Sequence, residues 1–394
     1  MSDAARRIGA DILEHLRDQR QYMIGLLEKL ALAESPSSDP VSQQQIRRLL
    51  SGELEQLGFE TRLLPGRSSG GQVYSRPRER VRSVALQLIV GHFDTVWPIG
   101  TLEKMPFAVE GNLVRGPGVF DMKGGLVQLI VALRALMELR LPMPVTPVIF
   151  LNSDEEIGSR ESTRYIAALA RRAERAFVLE PSLGPAGAIK TTRKGVGRFT
   201  ILARGRAAHA GLDPERGVSA ILELSFIIQK LFALNDPKRG VTVNVGTIDG
   251  GLRPNVIAPT SRAVVDVRVA SQADAERVDA AIRALQPTAE GVVLEIEGGI
   301  GRPPLEPTPR NRALWAVAQT LGGEIGLDLS EARAGGGSDG NTTSLYTATL
   351  DGLGPVGDGA HAHHEQLDLD KTTERAALLS LLLISPPLRS TADE

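Results

Sequence analysis

Three short apolar runs in the first half of the chain each end on a residue able to bind a proton or a metal. Residues 84–90 are almost wholly apolar and lead into Gly91-His92-Phe93-Asp94. Residues 145–151 end on Asn152-Ser153-Asp154-Glu155-Glu156, and residues 176–179 end on Glu180. Runs of this length without polar alternation predict strands buried on both faces. A Gly-rich turn, residues 115–125, opens a helical stripe of Leu126, Leu129, Ile130, Leu133, Leu136 and Met137 at 3.6-residue spacing. Strands alternating with helices predict an α/β, doubly wound, mostly parallel sheet. In such sheets ligands bind beyond the carboxyl ends of the strands.

The N-terminal pattern predicts one amphipathic helix over residues 11–32, with Leu26, Leu27 and Leu30 on its apolar face, and a second helix running to Leu57. Residues 65–82 are polar, basic and Gly/Ser-rich, which predicts a solvated loop. From about Lys194 the rhythm changes. Strands are expected at 196–203, 241–248, 262–269 and 292–297, with helices at 219–234 and 273–285. That β-α-β-β-α-β order is the ferredoxin-like pattern. Beyond it come a helix at 312–321, a strand at 346–350 and a last helix ending before Pro386. The expected organisation is a catalytic domain formed by 1–193 and 303–394, with an inserted α+β domain at 194–302.

Length agrees with this division, since 394 residues exceed what one core usually covers. A formal net charge of -2 argues against a nucleic-acid or anionic-membrane partner. The basic run at 76–82 has no interleaved aromatic, so it reads as solvated loop. There is no cysteine, which excludes disulfides and thiolate ligands or nucleophiles. The first residues lack the apolar core of a signal peptide, and residues 381–384 are far too short to span a bilayer. A cytoplasmic protein is expected.

Carboxylates grouped at a sheet edge repel one another unless a cation lies among them. His92, Asp121, Glu156, Glu180 and His361 all follow strands or glycine turns. An imidazole and carboxylate set suits zinc, with cobalt or manganese as substitutes. Five ligands exceed one open tetrahedral site and suit two metals, roughly 3.5–4 Å apart, sharing a carboxylate and a water. Asp94 sits where it could orient His92, and Glu155, beside a ligand, is the candidate general base. Two motifs are decoys. Gly352-Leu-Gly-Pro-Val-Gly357 fits a dinucleotide fingerprint but is followed by histidines instead of a helix, and His364-Glu365 lacks the second histidine of H-E-x-x-H. The glycines around Gly336 and Gly337 could turn backbone N–H groups toward a substrate carboxylate.

Gly91-His-Phe-Asp-Thr-Val, Gly116-Pro-Gly-Val-Phe-Asp-Met-Lys-Gly-Gly, Ser153-Asp-Glu-Glu-Ile-Gly-Ser, Leu179-Glu-Pro, Ala208-His-Ala-Gly and Gly337-Ser-Asp-Gly resemble, in order, the co-catalytic zinc exopeptidases and deacylases. That family includes glutamate carboxypeptidase, aminoacylase and acetylornithine deacetylase. The resemblance implies two zinc ions per subunit bridged by Asp121, one held by His92 and Glu180, the other by Glu156 and His361. It implies that Glu155 takes a proton from the attacking water and returns it to the leaving amine. The inserted domain would be a lid through which homodimers form, with His209 reaching the neighbouring site to stabilise the oxyanion. Asn255 and Arg268 resemble the family's substrate-carboxylate contacts. The expected substrate is a peptide or N-acyl amino acid, cleaved to release an amino acid such as glutamate. The alternatives are a biosynthetic deacetylase or desuccinylase and, against the intact Glu155, a non-catalytic metal-binding protein.

Overall fold

The structure is a computed structural model that describes residues 3–79 and 84–388. It divides into two compact units. One holds the described residues up to Thr192, Pro307–Ala334 and those from Ser338 onward; the other holds Arg193–Glu306 with Gly335–Gly337.

The first unit is organised by a six-stranded sheet in the order Phe59–Leu64, Gln72–Pro77, Thr146–Asn152, Leu86–His92, Ala173–Val178, Ala348–Leu350. The last four run parallel and the first two add an antiparallel flank. Successive side chains of a strand point to opposite faces, and both faces are covered. Ile89, Ile149 and Phe177 join one core with the helices Gly124–Glu138 and Leu369–Ile384. Leu88, Val90, Val148, Phe150 and Val178 join another with Ile166 and Ala170 of the helix Thr163–Ala170. Helices on both faces account for the unbroken apolar runs in the sequence and give the expected doubly wound α/β architecture. Close approach fixes one glycine: a Cβ on Gly125 would collide with the carbonyl of Leu179.

Two local expectations are corrected. The single helix over 11–32 is two helices, Asp3–Asp18 and Arg20–Leu32, separated at Gln19, whose ψ of 7° leaves the helical range. The Gln19 amide meets His15 Nε2 at 2.7 Å and donates to Glu138. The break lets each helix bury its own stripe, Ile12 and Leu16 on one, Met23, Leu26, Leu27 and Leu30 on the other. Within the loop expected at 65–82, Gln72–Pro77 is a strand, and its partner Phe59–Leu64 was not anticipated. Gln72 and Ser75 are buried polar residues there, so neither strand carries an apolar run. Residues 80–83 of that expected loop lie outside the described residues.

The second unit is a four-stranded antiparallel sheet in the order Thr242–Gly250, Thr260–Val269, Gly195–Arg204, Val293–Arg302. Its helices are Ala220–Phe232 and Gln272–Arg283, so the chain order is β-α-β-β-α-β. Ser219 and Ser271 cap them, accepting from Leu222 N and Asp274 N. Phe199, Ile201, Val265 and Val267 share one core with Leu224, Ile227, Leu231, Val278 and Ile282 of the helices. Among the described residues, no helix is long and apolar enough to cross a membrane.

Candidate metal centre

Three neighbouring parallel strands deliver one histidine and three acids. His92 ends Leu86–His92, Glu155 and Glu156 follow Thr146–Asn152, and Glu180 follows Ala173–Val178 by two residues. Asp121 lies in the turn Val119–Lys123 that precedes the helix Gly124–Glu138. His361 lies between the short strands Gly357–Asp358 and Gln366–Asp368. Its φ of 62° is in the left-handed region, which costs a residue with a Cβ.

The side chains converge in two groups. His92 Nε2 lies 3.4 Å from Asp121 Oδ1 and 3.5 Å from Glu180 Oε1. His361 Nε2 lies 3.4 Å from Asp121 Oδ2 and 3.0 Å from Glu156 Oε2. Within each group the potential ligand atoms are within 4.8 Å of one another, and Asp121 belongs to both. Buried atoms of three of these residues, His92 Nε2, Asp121 Oδ1 and Glu156 Oε1, have no hydrogen-bond partner among the described residues. Such atoms are costly in a protein interior. Nitrogen and carboxylate oxygen donors left in this state fit a pair of divalent cations.

The local electrostatics agree. Burial would hold the His92 imidazole down, yet Asp121, Asp94 and Glu180 carry it well above its usual range. Hydrogen bonding to Asp121 and Glu156 raises His361 to about 10. Burial pushes the Asp121 carboxyl up, but the two imidazoles bring it far below the ordinary carboxylate range. Burial raises Glu156 to about 7. The carboxylates therefore draw positive charge onto both histidines, charge that bound cations would supply in place of protons.

Asp94 is fully buried and ties the strand ends together. Its carboxylate accepts from Ser37 Oγ at 2.6 Å and from the N–H groups of Glu155 and Glu156, each at 3.2 Å. His92 Nδ1 is 3.0 Å from the Asp94 carbonyl and 3.4 Å from its carboxylate. With Nδ1 donating to that carbonyl, Nε2 presents its lone pair toward Asp121 and Glu180. Asp94 thus sets both the His92 ring and the backbone from which Glu155 and Glu156 project.

The remaining expected site residues belong to the second unit. His209 is exposed; its Nδ1 accepts from Gly211 N at 3.1 Å, which leaves Nε2 as the donor of the neutral ring. Asn255 is exposed and bridged to the same loop, its carbonyl accepting from Ala210 N. Arg268 donates to both oxygens of Asp266 at 2.8 and 3.0 Å. Gly336 and Gly337 turn their carbonyls to Arg193 Nη1, at 3.1 and 3.3 Å. One residue given no role from the sequence stands out in the first unit. Glu365 is buried and accepts from Gly118 N, Phe120 N and Asp121 N and from Trp97 Nε1, at 2.8–3.0 Å. Its position four residues after His361 was visible, but which turn it would serve was not.

Similarity to known proteins bears on the whole chain. Carboxypeptidase G2 of Pseudomonas sp. (strain RS-16) is 29% identical over 93% of this chain and 90% of its own length. Succinyl-diaminopimelate desuccinylase of Ectopseudomonas mendocina (strain ymp) is 27% identical over 87% and 93%. In fold, the chain is similar to the crystal structure of aminopeptidase PepT from Bacillus cereus ATCC 10987, with a TM-score of 0.76 at 22% identity, covering 94% of this chain and 98% of that one. The profile of peptidase family M20/M25/M40 matches residues 88–385, which span the strand ends and loops that carry all five converging side chains. The chain belongs to peptidase family M20/M25/M40 and is an amidohydrolase enzyme.

Proposed function

We propose that this protein is a zinc-dependent hydrolase that uses two metal ions to cleave the amide bond of a peptide or N-acyl amino acid and release the C-terminal amino acid, glutamate being the first candidate. The observation that supports this reading is the sharing of Asp121, one oxygen toward His92 and the other toward His361, between two ligand groups. His92 and Glu180 would hold one ion, Glu156 and His361 the other. Bound there, the ions would supply Lewis acidity for water and for the amide carbonyl.

The chain's own groups complete the chemistry. Glu155 takes the proton of the attacking water and delivers it to the leaving amine nitrogen, so that water and amide become carboxylate and amine. His209, from a second subunit, donates Nε2–H to the oxyanion. Asn255, Arg268 and the Gly336–Gly337 loop hold the substrate carboxylate, for which Arg268 must share itself with Asp266. The homodimer is supported by an exposed apolar face on the second unit, Ile221, Leu222, Phe226, Phe232, Ile248 and Leu252, beside the unpaired edge of Thr242–Gly250. A second substrate reading, an N-acyl amino acid deacylase such as a desuccinylase, is favoured by the similarity to succinyl-diaminopimelate desuccinylase. It uses the same bond and the same residues.

A panel of N-acyl amino acids and peptides with free α-carboxylates separates these readings. Release of an amino acid is expected, abolished by chelator and restored by zinc, with two ions per subunit by elemental analysis. No more than one ion after reconstitution would end the two-metal reading. Turnover indifferent to chelator would end the metal reading altogether.

A further inference from the structure

The backbone that carries Asp121 is held by a single side chain from another part of the chain. Gly118 has a φ of 74°, and Asp121 (φ −113°, ψ 95°) and Met122 (φ −131°, ψ 31°) leave the coiled geometry of the short turn. The result is that three N–H groups of one short segment, those of Gly118, Phe120 and Asp121, converge on one point. Convergent backbone donors ordinarily make an anion site. Here the anion is Glu365: Oε1 accepts from Phe120 and Asp121, both at 3.0 Å, and Oε2 accepts from Gly118 at 2.9 Å and from the Trp97 indole at 2.8 Å. The backbone of Glu365 faces both ways as well, its carbonyl accepting from Gly116 N and its N–H donating to the Ala362 carbonyl, one residue beyond His361.

We infer that Glu365 is a positioning residue for the metal centre, fixing the Asp121 turn against the His361 loop so that the two oxygens of Asp121 serve both ligand groups at once. The inference rests on the two-metal reading above. Asp121 gives one oxygen to each group, so a rotation of its backbone changes both sets of distances at once. The Glu365 side chain bonds to backbone N–H groups and the Trp97 indole, and it acts on the centre through the peptide of Asp121. A glutamine at this position could offer only one oxygen. Its amide nitrogen would face two N–H groups, and the turn would have to shift.

A brace that merely stabilises the fold must be told apart from one that sets ligand geometry. Glu223 in the second unit is a matched control. It is buried and accepts from the N–H groups of Thr288 and Ala289 at 2.7 and 2.8 Å, yet it serves no ligand. Glu365→Gln and Glu223→Gln are made in the full chain. Zinc affinity is measured by competition with a chromophoric chelator, and the visible spectrum of the cobalt-loaded protein is recorded. Glu365→Gln is expected to bind zinc about ten- to a hundred-fold more weakly, the usual range for groups that orient ligands, and to show an altered cobalt spectrum. Glu223→Gln is expected to lower the thermal midpoint of the metal-free protein and leave both metal readouts unchanged. Wild-type zinc affinity and spectrum in Glu365→Gln overturn the inference. If Glu365→Gln does not fold, Trp97→Phe, which deletes one of the four donors, takes its place: weaker zinc binding supports the inference and unchanged binding overturns it. A wild-type protein that takes up no zinc would defeat the two-metal reading itself, and this inference with it, a result distinct from the failure of the variant alone.

Discussion

The two units use similar strands and helices to different ends. In the first, parallel strands buried on both faces stop side by side, and their carboxyl ends carry ionisable groups whose charges conflict. In the second, an antiparallel sheet alternates buried and more exposed positions, as along Gly195–Arg204, and its anchoring acids are matched to donors. Asp274, for example, meets Arg239 and Arg277. A parallel sheet with both faces covered leaves its strand ends as the place where unsatisfied polar atoms can be gathered. The antiparallel sheet of the second unit keeps one edge strand, Thr242–Gly250, and exposed apolar side chains for another protein surface.

The largest expected effect tests whether the two units divide stability from metal binding. Phe199 is fully buried in the second core. Phe199→Ala should cost about 3–5 kcal/mol of stability, read by denaturant unfolding, while the folded fraction keeps two metal ions per subunit. A proportionate loss of metal in the folded protein would break the division. The converse is Glu155→Gln in the first unit. It should lower turnover by at least about 10²-fold, the low end for general-base catalysis, with metal content and thermal midpoint near those of the wild type. Near-normal turnover on a true substrate would remove Glu155 from its role.

How much of this was legible in the sequence follows from the same contrast. The strands ending at His92, Asn152 and Val178 were visible because burial on both faces leaves unbroken apolar runs. The five converging side chains were visible as candidates because each follows such a run or a glycine turn. Phe59–Leu64 and Gln72–Pro77 were not, because a flanking antiparallel strand holds Gln72, Ser75 and charged residues that carry no periodic signal. The break at Gln19 was hidden inside a continuous helical pattern, and Glu138, to which the Gln19 amide donates, lies 119 residues away. Glu365 was hidden for the same reason. The value of a buried acid lies in which N–H groups reach it, and those lie some 245 residues earlier in the chain.

A smaller effect tests the proposed dimer. His209→Ala leaves the ligand groups of its own chain intact, whereas Glu155→Gln leaves His209 intact. Mixed after subunit exchange, the two variants should form heterodimers in which one site has both groups. With random exchange at equal amounts, half the dimers are mixed and each has one working site, so about a quarter of wild-type activity should return. Exchange shown by mass, with no activity regained, would confine His209 to its own chain or to no catalytic part.

The smallest effect compares how the units hold their anchoring acids. Burial pushes the Glu161 carboxyl up, but the Ser68 hydroxyl, the N–H groups of Arg67 and Ser68 and the Ser69 hydroxyl bring it from 4.5 down to about 2. All four donors are uncharged. Asp274 is also lowered, against burial, by Ser271 together with Arg277 and Arg239, whose side chains are substantially exposed. A carboxyl whose pKa is lower folded than unfolded contributes stability that is complete above 4.5 and is lost as pH falls toward 2. Glu161→Gln should therefore melt below the wild type near neutrality, and the gap should narrow as the pH is lowered through that window. Added salt should leave the Glu161 gap nearly unchanged, because uncharged donors are not screened, and should reduce the corresponding gap for Asp274→Asn. A Glu161 gap that stays constant through the acid window would mean that the loop is held by shape and not by the carboxylate's charge.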